Sequence, residues 1–87
     1  MDASPTPVSD RPTPTQTYGE KLVDLSFNPS GSPEVQMIKR PLADLATLLN
    51  DMRSASSNND ANRLFSIAIS KIEEASMFGV KAVTRKP

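Results

Sequence analysis

The chain contains no cysteine and no histidine. Without cysteine there is no disulfide within it to staple a small fold, and no thiolate to hold a metal. Without histidine it lacks the commonest general base and the commonest metal ligand. Ser66, Ser70 and Ser76 have no imidazole to activate them, so acyl-transfer catalysis is not expected. There is no glycine-rich phosphate loop. Net charge is zero, from 10 basic and 10 acidic residues. No overall field draws such a chain onto duplex nucleic acid or a membrane, and recognition of a polyanion has to come from a local basic cluster. No stretch approaches the ~18 apolar residues that a membrane span needs. The opening "MDASPTPVSD" has an acid at its second position and no apolar core, which argues against a secretory signal. The expectation is a soluble intracellular protein that is not an enzyme and carries no cofactor or metal.

What is present fits one small domain. The 87 residues are 37% hydrophobic, below the usual share for a globular domain. Residues 1–17 hold Pro5, Pro7, Pro12 and Pro14 among serines and threonines, with almost nothing apolar to bury. They read as a loose tail, or as a docking peptide built on the PTP repeats, ahead of a domain over 18–87. In "TYGEKLVDLSF", Val23, Leu25 and Phe27 alternate with Asp24 and Ser26, the period of a short extended segment. Leu22 breaks the alternation, and a single irregular helical turn is the other reading. "NPSG" fits a type I turn: Asn28 bonds its own backbone, Pro29 presets φ and Gly31 closes the turn. Ser32 then stands as N-cap, Pro33 as first helical residue and Glu34 at the positive end of the dipole.

The first long helix is expected from about Pro33 to Arg53. Val35, Ile38, Leu42, Leu45, Leu49 and Met52 recur at spacings of 3, 4, 3, 4 and 3, a heptad seam. Pro41 lies inside it and should bend it between Met37 and Pro41. Ser54 to Asn59 is a polar loop of ordinary length for joining antiparallel helices. The second helix, capped by Asn59 or Asp60, is expected to reach about Lys86. Its seam reads Phe65, Ala68, Ile72, Ala75, Gly79 and Ala82 at the same spacings, mostly small residues. Leu64, Ile67, Ile69, Met77, Phe78, Val80 and Val83 lie off that seam. A helix apolar on more than one side is buried on more than one side, and one partner helix covers one seam. A lone hairpin of this composition, with no staple, does not offset the entropy of its own ordering. The expected architecture is all-α: an antiparallel helical hairpin with a short extended N-terminal segment, assembled as a homo-oligomer through its second helices.

Glu73 and Glu74 are adjacent, so on a helix they diverge by about 100° and do not converge on one substrate. They read as a solvated face or an ion pair between protomers. The cations cluster better. Lys81 and Arg85, with Lys86 beside them, end the second helix, while Lys39 and Arg40 begin the first. An antiparallel hairpin brings both groups to the end that also carries "FNPSG", with Tyr18 and Phe27 tethered nearby. Cations for phosphate, rings for a base and Asn28 for a base edge would suit a nucleotide. The competing readings are dipole complementarity for Lys81, Arg85 and Lys86, and core packing for Phe27.

Two stretches add a resemblance. "SFNPSGSPEVQMIKRPLADLATLL" resembles the FNPSG-x-x-x-V-x-x-I-K segment of bacteriophage Thoeris anti-defence proteins. "DANRLFSIAISKIEEASMFGVKAVTR" is similar to the C-terminal helix shared by those proteins and the phage anti-CBASS sponges. Together they cover roughly Tyr18 to Arg85. The resemblance implies a hexameric helical-hairpin protein that binds cyclic nucleotide second messengers and sequesters them uncleaved in the bacterial host cytoplasm. Carried over by position, Tyr18 would pack on a ligand base and Lys39, in "IK", would lie near the phosphates. Lys81 and Arg85 would match basic positions near the end of the second helix, and Phe27 and Asn28 would flank the pocket. Lys81 stands where the family often has arginine, which would lose planar bidentate phosphate binding. The short chain lacks the fuller strand-rich N-terminal part of the Thoeris type, which favours the anti-CBASS type, while "FNPSG" points the other way. The ligand therefore stays open between cyclic di- or trinucleotides and cyclic ADP-ribose isomers. A different class, a helical structural or nucleic-acid-associated oligomer without a small ligand, would show itself by strongly salt-dependent duplex binding.

Overall fold

A computed structural model describes residues 15–29 and 31–85. Among them the chain forms three helices and no strand: α1 (Tyr18–Leu22), α2 (Pro33–Ala55) and α3 (Asn59–Val83). The proline-rich part of the tail, Pro5 to Pro14, lies outside the described residues, as does Lys86. α2 and α3 pack together through a loop of Ser56 to Asn58 as an antiparallel hairpin, and α1 packs on α2.

The expected helix starts hold, with different atoms at the caps. Pro33 opens α2, but the Ser32 hydroxyl makes no capping bond. Asn28 serves that end instead: its Oδ1 accepts from Ser32 N at 3.2 Å and its Nδ2 donates to Ser32 O at 2.8 Å. Gly31 N donates to Asn28 O at 2.9 Å, with Gly31 at φ 65, where a side chain would be strained. α3 is capped one residue earlier than expected, by Asn58, whose Oδ1 accepts from Ala61 N at 2.9 Å. α2 runs as one helix through Pro41, to Ala55 rather than Arg53, and α3 ends at Val83.

The segment read as extended, or else as a single irregular helical turn, is not extended: a five-residue helix, Tyr18–Leu22, runs into turns. Thr17 and Glu20 form a reciprocal capping box: Glu20 N donates to Thr17 Oγ1 at 3.1 Å, and Thr17 N to a Glu20 carboxylate oxygen at 2.9 Å. α1 then closes with two crossed bonds, Leu25 N to Glu20 O at 2.9 Å and Asp24 N to Lys21 O at 3.2 Å. That pair is a Schellman ending, which needs a left-handed residue; here it is Asp24, at φ 55, rather than the usual glycine. The period of two in Val23, Leu25 and Phe27 therefore reflects two tight turns in succession.

The expected seams hold in part, with Val35 and Ile72 buried and Gly79 close against Ile38 across the hairpin, but the most buried stripes are displaced to one flank of them. On α2 the buried residues are Val35, Lys39, Ala43 and Ala46, while Leu45 and Met52 of the expected seam are exposed. The reason is α1, which claims a second flank of α2. Gly19 lies so close that a Cβ there would overlap the Ala43 carbonyl, and Gly19 N donates to Thr47 Oγ1 at 2.9 Å. On α3 the buried residues are Ile69, Ile72 and Ser76, with Ala75 and Ala82 exposed. A Gly19→Ala variant is expected to push α1 off α2, because backbone cannot yield as a side-chain tip does. Its melting temperature should fall by about 5–15 °C, the equivalent of roughly 1–2 kcal/mol in a domain this small. An unchanged melting curve would contradict the tight contact.

Leu45, Leu48 and Met52 on α2, and Leu64, Ile67, Met77 and Phe78 on α3, remain exposed. The surplus of apolar faces expected from the sequence is visible as this uncovered surface.

Candidate ligand-binding site

The connector from Val23 to Asn28 has no regular ladder to satisfy its carbonyls. Side chains from the first turns of α2 do so instead. Gln36 and Lys39, one turn apart, reach the same way: Gln36 Nε2 donates to Leu25 O at 3.0 Å. Lys39 Nζ donates to Asp24 O at 2.7 Å and to Phe27 O at 2.6 Å. Lys39 is only 5% exposed, and its ammonium sits 5.8 Å from the centre of the Phe27 ring. Two carbonyl dipoles and a ring face thus surround a buried cation.

Above it lies a groove in two halves. The outer half, about 290 Å³, is lined by Phe27, Asn28, Pro29, Val35 and Lys39 with Val80 and Thr84 of α3. The inner half, about 260 Å³, is lined by Val23, Asp24, Phe27, Lys39, Ser76, Met77 and Val80. Phe27, Lys39 and Val80 belong to both. Phe27 is 62% exposed, so it is a wall of the groove rather than the core anchor that its size suggested. Each half falls near or below the lower end of the ~300–1,000 Å³ usual for a small-molecule site.

The expected site residues divide accordingly. Phe27, Asn28 and Lys39 meet at the groove. Asn28 spends both ends of its amide on Ser32, holding the turn. Lys81 and Arg85 are exposed on the closing turns of α3, at the same end of the hairpin, but line neither half; their neighbours Val80 and Thr84 do. Arg40 faces away into an exposed network, 3.0 Å from Glu20 and 2.9 Å from Asp44. The Thr17 backbone N–H, and then Arg40, hold the Glu20 carboxyl below its ordinary range; Glu20 and then Asp44 raise the Arg40 guanidinium.

Tyr18 is not with Phe27. α1 runs antiparallel to α2, so Tyr18 sits where Arg53 is, and the fourteen residues from Lys39 to Arg53 span roughly 21 Å of helix. There the Arg53 guanidinium lies 5.8 Å from the Tyr18 ring centre. It donates to Ser66 Oγ at 2.9 Å and to Asn50 Oδ1 at 2.7 Å, with the Tyr18 hydroxyl at 3.5 Å. The sequence reading missed Arg53, and also Val80, Thr84 and Ser76. The latter three follow from the antiparallel register, which sets the end of α3 beside Lys39. Among the described residues no three Asp or Glu gather to hold a metal ion.

Fold and groove define the class: an all-helical hairpin domain with a mainly apolar groove over a buried cation at one end. Residues 20–84, most of the chain, match the family described as Acb2/Tad1, hairpin domain. The chain belongs to this family of phage anti-CBASS and anti-Thoeris sponges. No curated protein and no solved structure matches it.

Proposed function

We propose that this chain is a phage anti-immune sponge that holds cyclic di- and trinucleotide second messengers without cleaving them, in the cytoplasm of the bacterial host. The observation that carries this reading is Lys39: a buried ammonium under an exposed aromatic ring, which forms no ion pair among the described residues. A buried cation of this kind is complemented by an anion, and a phosphate brings one together with a base for Phe27. Lys81 and Arg85 would add attraction at the rim. Each half-groove is small for a whole cyclic dinucleotide, which supports a homo-oligomer, a hexamer on the family pattern, in which copies share a ligand. In it Tyr18 would reach a base only from a second copy. A second reading, cyclic ADP-ribose isomers, is favoured by Phe27 and Asn28 of "FNPSG" lining the outer half.

Thermal melting with a panel of cyclic di-AMP, cyclic di-GMP, cyclic tri-AMP and cyclic ADP-ribose isomers tests both. A ligand present at a hundred times its Kd stabilises the folded form by about 2.7 kcal/mol, an upward shift of more than 10 °C in a domain this small. The ligand should return intact after denaturation. No shift with any member would end the sponge reading, and a shift with the ADP-ribose isomers alone would select the second one.

A further inference from the structure

The inner half of the groove contains two polar groups whose bonding is incomplete. Ser76 is only 3% exposed, on the α3 face that meets α2. Three hydroxyls bond back to the carbonyl four residues earlier, Thr47 to Ala43, Ser66 to Asn62 and Thr84 to Val80, while the exposed Ser54 and Ser70 do not. The Ser76 hydroxyl makes no such bond and has no hydrogen-bond partner among the described residues. Beside it in the same cavity, Lys39 has given two of its three N–H donors to Asp24 O and Phe27 O. Asp24 reaches Lys39 through its backbone carbonyl, and no carboxylate pairs with the ammonium among the described residues.

Neither group is what packing alone would select. Alanine at position 76 would fill the same seam, and the serine hydroxyl, which makes no bond to the described residues, opens onto the inner cavity instead. A hydroxyl donor and an ammonium lining one small cavity have a common complement, an oxyanion. A neutral ligand would satisfy the hydroxyl and leave the cation without counter-charge.

We infer that Ser76 donates its hydroxyl to a phosphate oxygen of the bound cyclic nucleotide, beside the Lys39 ammonium. This rests on the sponge reading and adds to it a contact on α3. It also orients the ligand: phosphate in the inner half, base in the outer half between Phe27, Pro29, Val35 and Val80.

The test is Ser76→Ala, measured twice against the unchanged protein. Titration calorimetry with the panel members that stabilise the parent protein should show affinity reduced by about 10- to 100-fold, the usual range for losing one hydrogen bond to a charged group. Melting without ligand should show the same or a higher melting temperature, because the hydroxyl makes no bond within the described residues for the variant to lose. Affinity equal to the parent's would overturn the inference and leave the sponge reading standing. A lower melting temperature without ligand would also overturn it, by showing that the hydroxyl serves the fold. If the parent protein binds no panel member, the sponge reading fails first and this contact with it.

Discussion

A Lys39→Met variant is expected to lose both ligand capture and the shape of the groove. Methionine keeps most of the aliphatic stem that Lys39 buries, so the loss isolates the ammonium. The acceptors it leaves, the Asp24 and Phe27 carbonyls, are main chain and cannot be redesigned away with it. Replacing a buried charge by an apolar group is often nearly neutral when its partners are replaced as well; here they stay behind without a donor. Each orphaned carbonyl costs about 1–3 kcal/mol, partly offset by the desolvation of the ammonium that no longer has to be met. A net loss of about 2–4 kcal/mol corresponds to roughly 10–25 °C in melting temperature for a domain of this size. Differential scanning calorimetry reads that shift, and titration with the panel reads the lost binding. Full stability together with unchanged affinity would show that Lys39 neither clamps the connector nor meets the ligand.

The second large effect is expected from paired substitution of Leu64→Glu and Phe78→Glu. Both residues lie on the side of α3 turned away from α2, and both are exposed in the single chain. In a homo-oligomer joined through its third helices they would be covered. Burial of a leucine or phenylalanine contributes about 1.5–3 kcal/mol, so removing two per copy weakens association by at least about a hundredfold. The nearby Lys71–Glu74 pair, at 3.7 Å on the surface, is too weak to compensate. Sedimentation velocity should show a smaller species than the parent protein, with a broader thermal transition. A variant that sediments as the parent does would move the interface to another face.

The two long helices were legible because their ends use local chemistry. Pro33 and the asparagines near 58 mark starts by rules that act within three or four residues. Their inner faces were less so, because a heptad pattern gives a stripe but not what competes for the flanks. Gly19 against Ala43 is a contact 24 residues apart in sequence, and it adds to α2 a second buried flank beside the seam. For α1 a signal was there to be read: Thr17-x-x-Glu20 is a capping-box pattern. Its ending was concealed, since an aspartate takes the position where glycine would have announced it. At the site, "FNPSG" with "IK" located Phe27, Asn28 and Lys39 together. The antiparallel course of α1 took Tyr18 elsewhere, and no local pattern contained that direction.

The uncovered apolar surface has a consequence for dose. In the proposed homo-oligomer, the exposed apolar residues of α2 and α3 would be covered only when copies meet. Association and folding would then be coupled, and the folded population would rise with a power of the protein concentration. A sponge of the proposed kind would be inert while scarce and switch on over a narrow range as it accumulates. Its action early in an infection would be limited by how fast the chain is made rather than by how tightly it binds.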